Sequence, residues 1–280
     1  MKKTDNYHIF NYFYRNHFKI MELAYHVCRI AVAPLRKEPS DRSEIVSQLL
    51  FGDRVLVIEK AEKWCLVKTN HDNYEGWMDH KQLQQITALQ YNDEQSYKYL
   101  TAVNFDNRVV DDNGELYYLS PGSTLPFYQD GYCYLGDNRF EVKTEPFVPN
   151  PVEFEAKIEA TAKFFLNSPY LWGGRTFFGI DCSGFVQTVY KLLGLKLRRD
   201  ASQQVEEGEL VDFLASAKLG DLAFFDNEEG KITHVGMMLS NDKIIHSAGK
   251  VHIDPIDNQG IYSKELERYT HKLRVIKRFV

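Results

Sequence analysis

Three residues of this chain have the types and spacing for covalent chemistry: Cys182 and two histidines downstream of it, His234 and His246. A free thiol titrates near ~8.5 and is only a few per cent thiolate at neutral pH, so a nucleophilic cysteine needs a favourable position and a nearby base. The surroundings of Cys182 suit the first need. Gly173 and Gly174 permit a turn that side chains resist, and Asp181-Cys182-Ser183 is a polar triplet fit for a helix start. Phe185, Val186, Val189, Leu192 and Leu193 follow at helical spacing, with Gly194 placed to stop the helix. The spacing predicts Cys182 in a first turn, where unpaired N–H groups and the helix dipole lower a thiol's pKa. The bland alternative is a buried structural cysteine; the glycines before it and the histidines after it favour the nucleophile.

The histidines fall on two apolar stretches, Ile232 to Leu239 and Lys243 to Ser247, that read as a hairpin across Ser240-Asn241-Asp242. One or three loop residues set His246 opposite Gly236 and diagonal to His234, with bare Gly236 leaving room between them; two would put the rings on opposite faces. Shared chemistry therefore predicts an odd loop. A metal site from Cys182, His234, His246 and His252 is disfavoured because the spacing lacks a chelating pair, and no cofactor is called for.

The elements that must position these groups emerge from the rest of the chain. Its 280 residues suffice for two or three domains, and 34 basic against 39 acidic residues make no electrostatic case for nucleic acid or a membrane surface. No window approaches ~20 apolar residues. Cys28, Cys65, Cys133 and Cys182 form no CxxC pair or disulfide framework, which suits reduced thiols in the cytoplasm. Met1-Lys2-Lys3 opens like a signal peptide, but Asp5, Asn6 and His8 interrupt any apolar core, so a cytoplasmic protein is expected, with Met21 as an alternative start.

Residues 1–22 read as a loosely held tail. Short strands separated by turns, among them Arg29 to Pro34, Val55 to Ile58 and Trp64 to Val67, predict a small barrel over residues 23–87. Gly131 to Leu135 echoes Lys63 to Val67 and suggests a second β unit over 88–145. Pro146, Pro149 and Pro151 mark a stiff linker over 144–151. Phe154, Ile158, Phe165 and Leu166 predict a helix over 152–166, and strands follow at Leu222 to Phe225, in the histidine hairpin and at Leu273 to Phe279. Helices before strands make residues 152–280 an α+β domain.

Tyr170 to Phe185, with Gly220-Asp221-Leu222, Thr233-His234-Val235-Gly236 and Ile245-His246-Ser247, resembles the NlpC/P60 cysteine peptidases, most of all the γ-D-glutamyl-L-diamino acid endopeptidases with bacterial SH3-type domains in front. The resemblance implies a papain-like catalytic domain behind two small SH3-like β-barrels. It implies Cys182 as nucleophile, His234 as base and His246 as the orienter of that base. The oxyanion would be met by the Cys182 backbone N–H, helped by the Tyr170 hydroxyl, unless Tyr170 is satisfied elsewhere in the core. The substrate implied is a murein peptide, L-Ala-γ-D-Glu-L-Lys or its diaminopimelate counterpart, cut after γ-D-Glu in wall-peptide recycling. Glu44, Tyr74, Asp200, Ser202, Asp181 and Ser183 match family positions that bind it, the free amine of L-Ala included; for Glu44 a plain surface carboxylate is the alternative. Arg175, Arg198 and Arg199 are candidates for substrate carboxylates, and Phe177 and Phe178 replace what are often smaller or polar residues near the cleft. An exported wall hydrolase and a catalytically dead binding module are the competing readings.

Overall fold

The computed structural model describes residues 24–280. The expected tail over 1–22 and the alternative start at Met21 lie outside the described residues.

The first unit has seven strands: β1 (Ala24–Cys28), β2 (Val32–Arg36), β3 (Ile45–Leu50), β4 (Arg54–Ala61), β5 (Trp64–Thr69), β6 (Glu75–Asp79) and β7 (Leu83–Gln85). They pair antiparallel in the order β3-β2-β6-β5-β4-β1-β7. Alternation sets their faces: in β5, Cys65 and Val67 enter a core with Leu35, Val55 and Met78, while Leu66 and Lys68 stay half-exposed. Bulges after Leu35 and Val57 bend the sheet.

After a short helix α1 (Ala88–Asn92), the second unit contains β8 (Leu100–Thr101), β9 (Asn107–Asp111), β10 (Leu116–Leu119), β11 (Tyr132–Leu135), β12 (Asn138–Val142) and β13 (Pro146–Phe147). β9 to β12 form a four-stranded sheet in the order β10-β9-β12-β11, and β8 pairs with β13 and bridges to Thr124 through Leu100. The unit is stranded as expected, yet the echo does not extend to topology. The second stretch is the edge strand β11, whereas its counterpart β5 is central. Nor is its core its own, because Val109, Leu125, Cys133 and Phe140 cluster with Val27 and Phe51 of the first unit. The linker also departs from expectation: Pro146, which lacks a donor, sits at the start of an edge strand and pairs with Thr101.

The third unit opens with α2 (Phe154–Phe164), a two-residue-turn hairpin of β14 (Arg175–Thr176) and β15 (Gly179–Ile180), α3 (Cys182–Leu192) and α4 (Ala201–Gln204). Then come β16 (Glu209–Val211), β17 (Leu222–Asp226), β18 (Ile232–Met238), β19 (Lys243–Ala248), β20 (Lys250–Asp257), β21 (Gly260–Ser263) and β22 (Arg268–Arg278). Because β22 pairs with both β17 and β21, strands β17 to β22 close into a ring, which β16 extends beside β22. Alternate residues serve two cores. Phe224, Val235, Met237 and Ile245 pack outward with Phe185, Val186 and Val189 of α3, and Phe225, Met238, Ile244 and Ile276 fill the ring.

His234 pairs with Phe225 and stands with His246 and His271 at one end of that ring. Burial, reinforced by the neighbouring rings, holds His234 well below its ordinary value, and His271 is pushed down to about 4, chiefly by burial. Such rings are neutral in the fold and take protons once the chain unfolds, so stability is full above about pH 6.5 and drains as pH falls towards 4, each ring contributing about 1.4 kcal/mol per pH unit. Denaturant titrations between pH 7 and pH 4 should show this decline, and His234→Gln should flatten it by about one ring's share. An unchanged slope in that variant would contradict a neutral His234.

Candidate active site

Asp181 starts α3. Its side chain accepts from the Gly184 N–H at 2.6 Å and the Gly173 N–H at 2.9 Å, and Arg199 grips both carboxylate oxygens at 2.6 and 3.1 Å. Ser183 Oγ lies 3.2 Å from Asp181 and accepts from Arg199 at 2.9 Å. Asp181 and Ser183 thus line the cleft with their polar atoms occupied in holding the helix start. Arg199, only 1 % exposed, and Arg175, 3 % exposed, are not rim groups meeting substrate: burial demands partners, and they find them in Asp181 and in Gln48 with Asp53. Arg198 is half-buried.

Cys182 takes the first helical position, as its spacing predicts. The expected fall of its pKa does not follow. Burial, with Asp181 beside it, pushes the thiol up to about 12 and outweighs the N–H groups of Ser183 and Val235 and the Arg199 charge, which act the other way. The Val235 N–H reaches the sulfur because β18 and β19 pair only from Gly236↔His246 to Met238↔Ile244 and part beyond Gly236. The sulfur therefore rests against the backbone one residue from His234. Among the described residues no hydrogen bond joins Sγ to that ring.

The histidine hairpin has the odd loop, with Leu239 bonded to Lys243 across three residues and His246 facing Gly236. A side chain at Gly236 would come within 2.8 Å of the His246 Cβ, so glycine is what lets the two rings approach. His234 Nε2 and His246 Nδ1 are 2.9 Å apart, and His246 Nε2 lies 3.3 Å from Asp254 Oδ2. Burial keeps His246 below its ordinary value against the pull of Asp254, while His246 and His252 hold the Asp254 carboxyl low despite its burial. An ionised carboxylate only accepts, so His246 donates from Nε2, accepts at Nδ1, and receives the Nε2–H of His234. That leaves Nδ1 of His234 as its free base atom.

Asp254 and His271 escaped the sequence reading. The signal for Asp254 was the alternation of His252 and Asp254 just past the hairpin, which puts both on the His246 side of β20, where His246↔His252 pair. His271 gives no local signal, since ring closure brings it over His234 at 4.0 Å. His234, His246 and His271 have ligand atoms within 4.8 Å of one another. The His234 and His271 rings stack, their planes only 27° apart.

A cleft of about 700 Å³ opens over Cys182, walled by Tyr170, Asp200 and Ser202 on one side and by Glu44 and Tyr74 of the first unit on the other. Trp172 Nε1 donates to Glu44 at 2.8 Å, and the Tyr74 hydroxyl bonds Asp200. Burial raises the Asp200 carboxyl above the usual range, Arg199 and Tyr74 opposing. Close packing sets the two walls: Gly173 has φ +76°, and a Cβ there would lie 2.5 Å from the Ile45 carbonyl oxygen of β3. Phe177 and Phe178 lie away from the cleft; they form the β14–β15 turn, Phe177 meeting Phe105 and Phe164.

Residues 167–270 match the NlpC/P60 family and residues 35–83 match the bacterial dipeptidyl-peptidase SH3 domain. The chain is 33 % identical over 240 residues to a γ-D-glutamyl-L-lysine dipeptidyl-peptidase of Bacillus subtilis, covering 79 % of each chain. It is 25 % identical over 268 residues to dipeptidyl-peptidase 6 of Lysinibacillus sphaericus, covering 84 % of this chain and 93 % of that one. Its fold is that of an NlpC/P60 family protein from Bacillus cereus, with a TM-score of 0.74 at 22 % identity over 91 % of this chain and 99 % of that structure. The chain therefore belongs to the NlpC/P60 family, with a bacterial SH3 domain ahead of its NlpC/P60 domain.

Proposed function

We propose that this protein is a cysteine endopeptidase that cuts the bond between γ-D-Glu and L-Lys or diaminopimelate in murein peptides with a free N-terminal L-Ala. One observation carries the reading: a single cleft joins Cys182 on the NlpC/P60 side to Glu44 and Tyr74 on the SH3 side. The B. subtilis relative, named for γ-D-glutamyl-L-lysine, supports the substrate class. We divide the chain accordingly into an SH3-like unit over 23–87, a second β unit over 88–145 and a peptidase domain over 152–280. Four free cysteines accord with a reducing compartment and a role in wall-peptide recycling, and among the described residues no helix is long and apolar enough to cross a membrane.

In this reading His234 Nδ1 takes the thiol proton as the sulfur adds to the γ-carbonyl carbon of D-Glu. The oxyanion that forms meets the Cys182 backbone N–H, which has no partner among the described residues, and the Tyr170 hydroxyl. Collapse breaks the C–N bond, the leaving amine takes the proton from His234, and a thioester remains. Water, giving a proton to His234, then releases the acid and restores the thiol. Glu44 and Tyr74, with Asp200 opposite, receive the L-Ala ammonium through charge-assisted hydrogen bonds, and Asp181, Ser183 and Ser202 shape the facing wall. Asp254 positions His246, and through it the tautomer of His234.

Incubation with L-Ala-γ-D-Glu-L-Lys, read by mass spectrometry, should yield L-Ala-D-Glu and lysine, with the N-acetylated peptide left uncut. Equal cleavage of both would remove the amine-recognition part alone, and turnover by folded Cys182→Ala or His234→Ala would end the assignment. Because the resting thiol sits high, alkylation of Cys182 by iodoacetamide should keep accelerating above pH 8; a plateau reached by pH 6 would mean a preformed ion pair. Asp254→Asn should lower kcat about tenfold or more at little change in KM and move the His234 ring ¹⁵N shifts. A kcat within twofold of the parent would refute its positioning role.

A further inference from the structure

The relay from Asp254 to His246 has a third member that the mechanism does not use. His252 and Asp254 alternate along β20, so both face the side of the sheet that carries His246, and His246 pairs with His252 across the strands. His246 Nε2 and His252 Nε2 lie 3.3 and 3.0 Å from the same oxygen, Oδ2 of Asp254, and the three ligand atoms fall within 4.8 Å of one another. Such separations approach the ~3.3 Å edge that zinc bonds of ~2.0–2.1 Å make in a tetrahedron. The chelating pair missing from the set of Cys182, His234, His246 and His252 is thus supplied by Asp254 beside His252.

The His252 ring meets an acceptor at each nitrogen. Its Nδ1 lies 2.8 Å from the Lys250 carbonyl and must donate to it, which turns the Nε2 lone pair of a neutral ring onto the Asp254 carboxylate. Two acceptors 3.0 Å apart need a cation between them, either a proton or a metal ion. Charge and access suit the ion. Among the described residues Asp254 has ion-pair contacts only with the two imidazoles, so no lysine or arginine competes for it. Among the same residues Asp254 Oδ1 takes no hydrogen bond and is not sealed from solvent, and the His252 side chain is 27 % exposed. We infer that His246, His252 and Asp254 form a binding site for a zinc-type divalent ion, with a fourth position left to water, and that the ion switches the relay off. Two imidazoles and one carboxylate are a donor set that such an ion takes, and the Lys250 carbonyl fixes the His252 tautomer that leaves Nε2 to ligate.

Binding displaces the proton held between His252 and Asp254 to solvent. Metal on Nε2 of a neutral His246 moves that ring's proton to Nδ1, where it meets His234 Nε2 at 2.9 Å. His234 then accepts at Nε2 and carries its own proton on Nδ1, the atom that must take the thiol proton. Each ring keeps one proton, and the base is blocked. The site rests on geometry alone; only the loss of turnover rests on the peptidase reading.

Zinc chloride titrated calorimetrically into the full-length Cys182→Ala variant, which removes the sulfur as a ligand, should bind saturably at one site, and the ring ¹⁵N signals of His246 and His252 should shift together. Outer-shell partners alone are worth ~10–100-fold in metal affinity, so His252→Gln in the same background should weaken binding about tenfold or more. With Cys182 in place, zinc should suppress peptide cleavage and EDTA should restore it, whereas the His252→Gln chain should keep most of its metal-free rate at the same zinc concentration. No binding by Cys182→Ala, unmoved ring signals, or equal affinity after His252→Gln would each overturn the site. Equal inhibition of the parent and the His252→Gln chain would overturn the switch, zinc then acting through the thiol. Absence of cleavage by EDTA-treated parent protein would instead remove the peptidase reading and leave the calorimetric result standing.

Discussion

The buried pair of Arg199 and Asp181 is the contact on which the rest of the site depends. Arg199 donates to both oxygens of Asp181 and to Ser183, and it reaches across to Ser47 of β3 at 2.9 Å. The same carboxylate caps α3 and ties down the turn at Gly173. Helix start, glycine turn and SH3 docking thus converge on one ion pair. Removing one member would leave an uncompensated buried charge, at a cost of about 3–5 kcal/mol. Arg199 also offsets the charge of Asp181 at the sulfur next door.

Burial governs the chemistry in an unexpected direction. A helix start favours a thiolate, but the low dielectric around Cys182 and His234 penalises charge on both and pushes each towards its neutral form. The relay from Asp254 through His246 reconciles this with base catalysis in the proposed mechanism. It holds the base in one tautomer without placing a full charge beside it, and lets charge develop only during attack. Contacts absent at rest between sulfur and ring are of the kind that tighten once substrate excludes water.

In the proposed function, selectivity depends on the SH3 unit as a wall. Gln187 to Asp72 at 2.7 Å, Lys191 to Asp53 at 2.9 Å and the backbone approach at Gly173 hold it against the NlpC/P60 domain. Glu44 gains its place from Trp172, a residue 128 positions away. The cleft is closed on that side by protein, which gives a peptide end and its charge something to meet.

Much of this was legible in the chain itself. Apolar spacing after Asp181 located α3, and hairpin arithmetic around Ser240-Asn241-Asp242 put His246 opposite Gly236, because both are short-range consequences of backbone period. Ordered motifs pointed to the family. The second β unit was legible only as strands; its four-stranded sheet and its core shared with Val27 and Phe51 rest on contacts between distant segments. The same holds for the burial of Arg175 and Arg199, whose type alone suggested the surface, and for His271, delivered by ring closure. Local spacing determines where a side chain points along its own element. What it faces, and therefore its charge, is decided only when remote elements pack and exclude water.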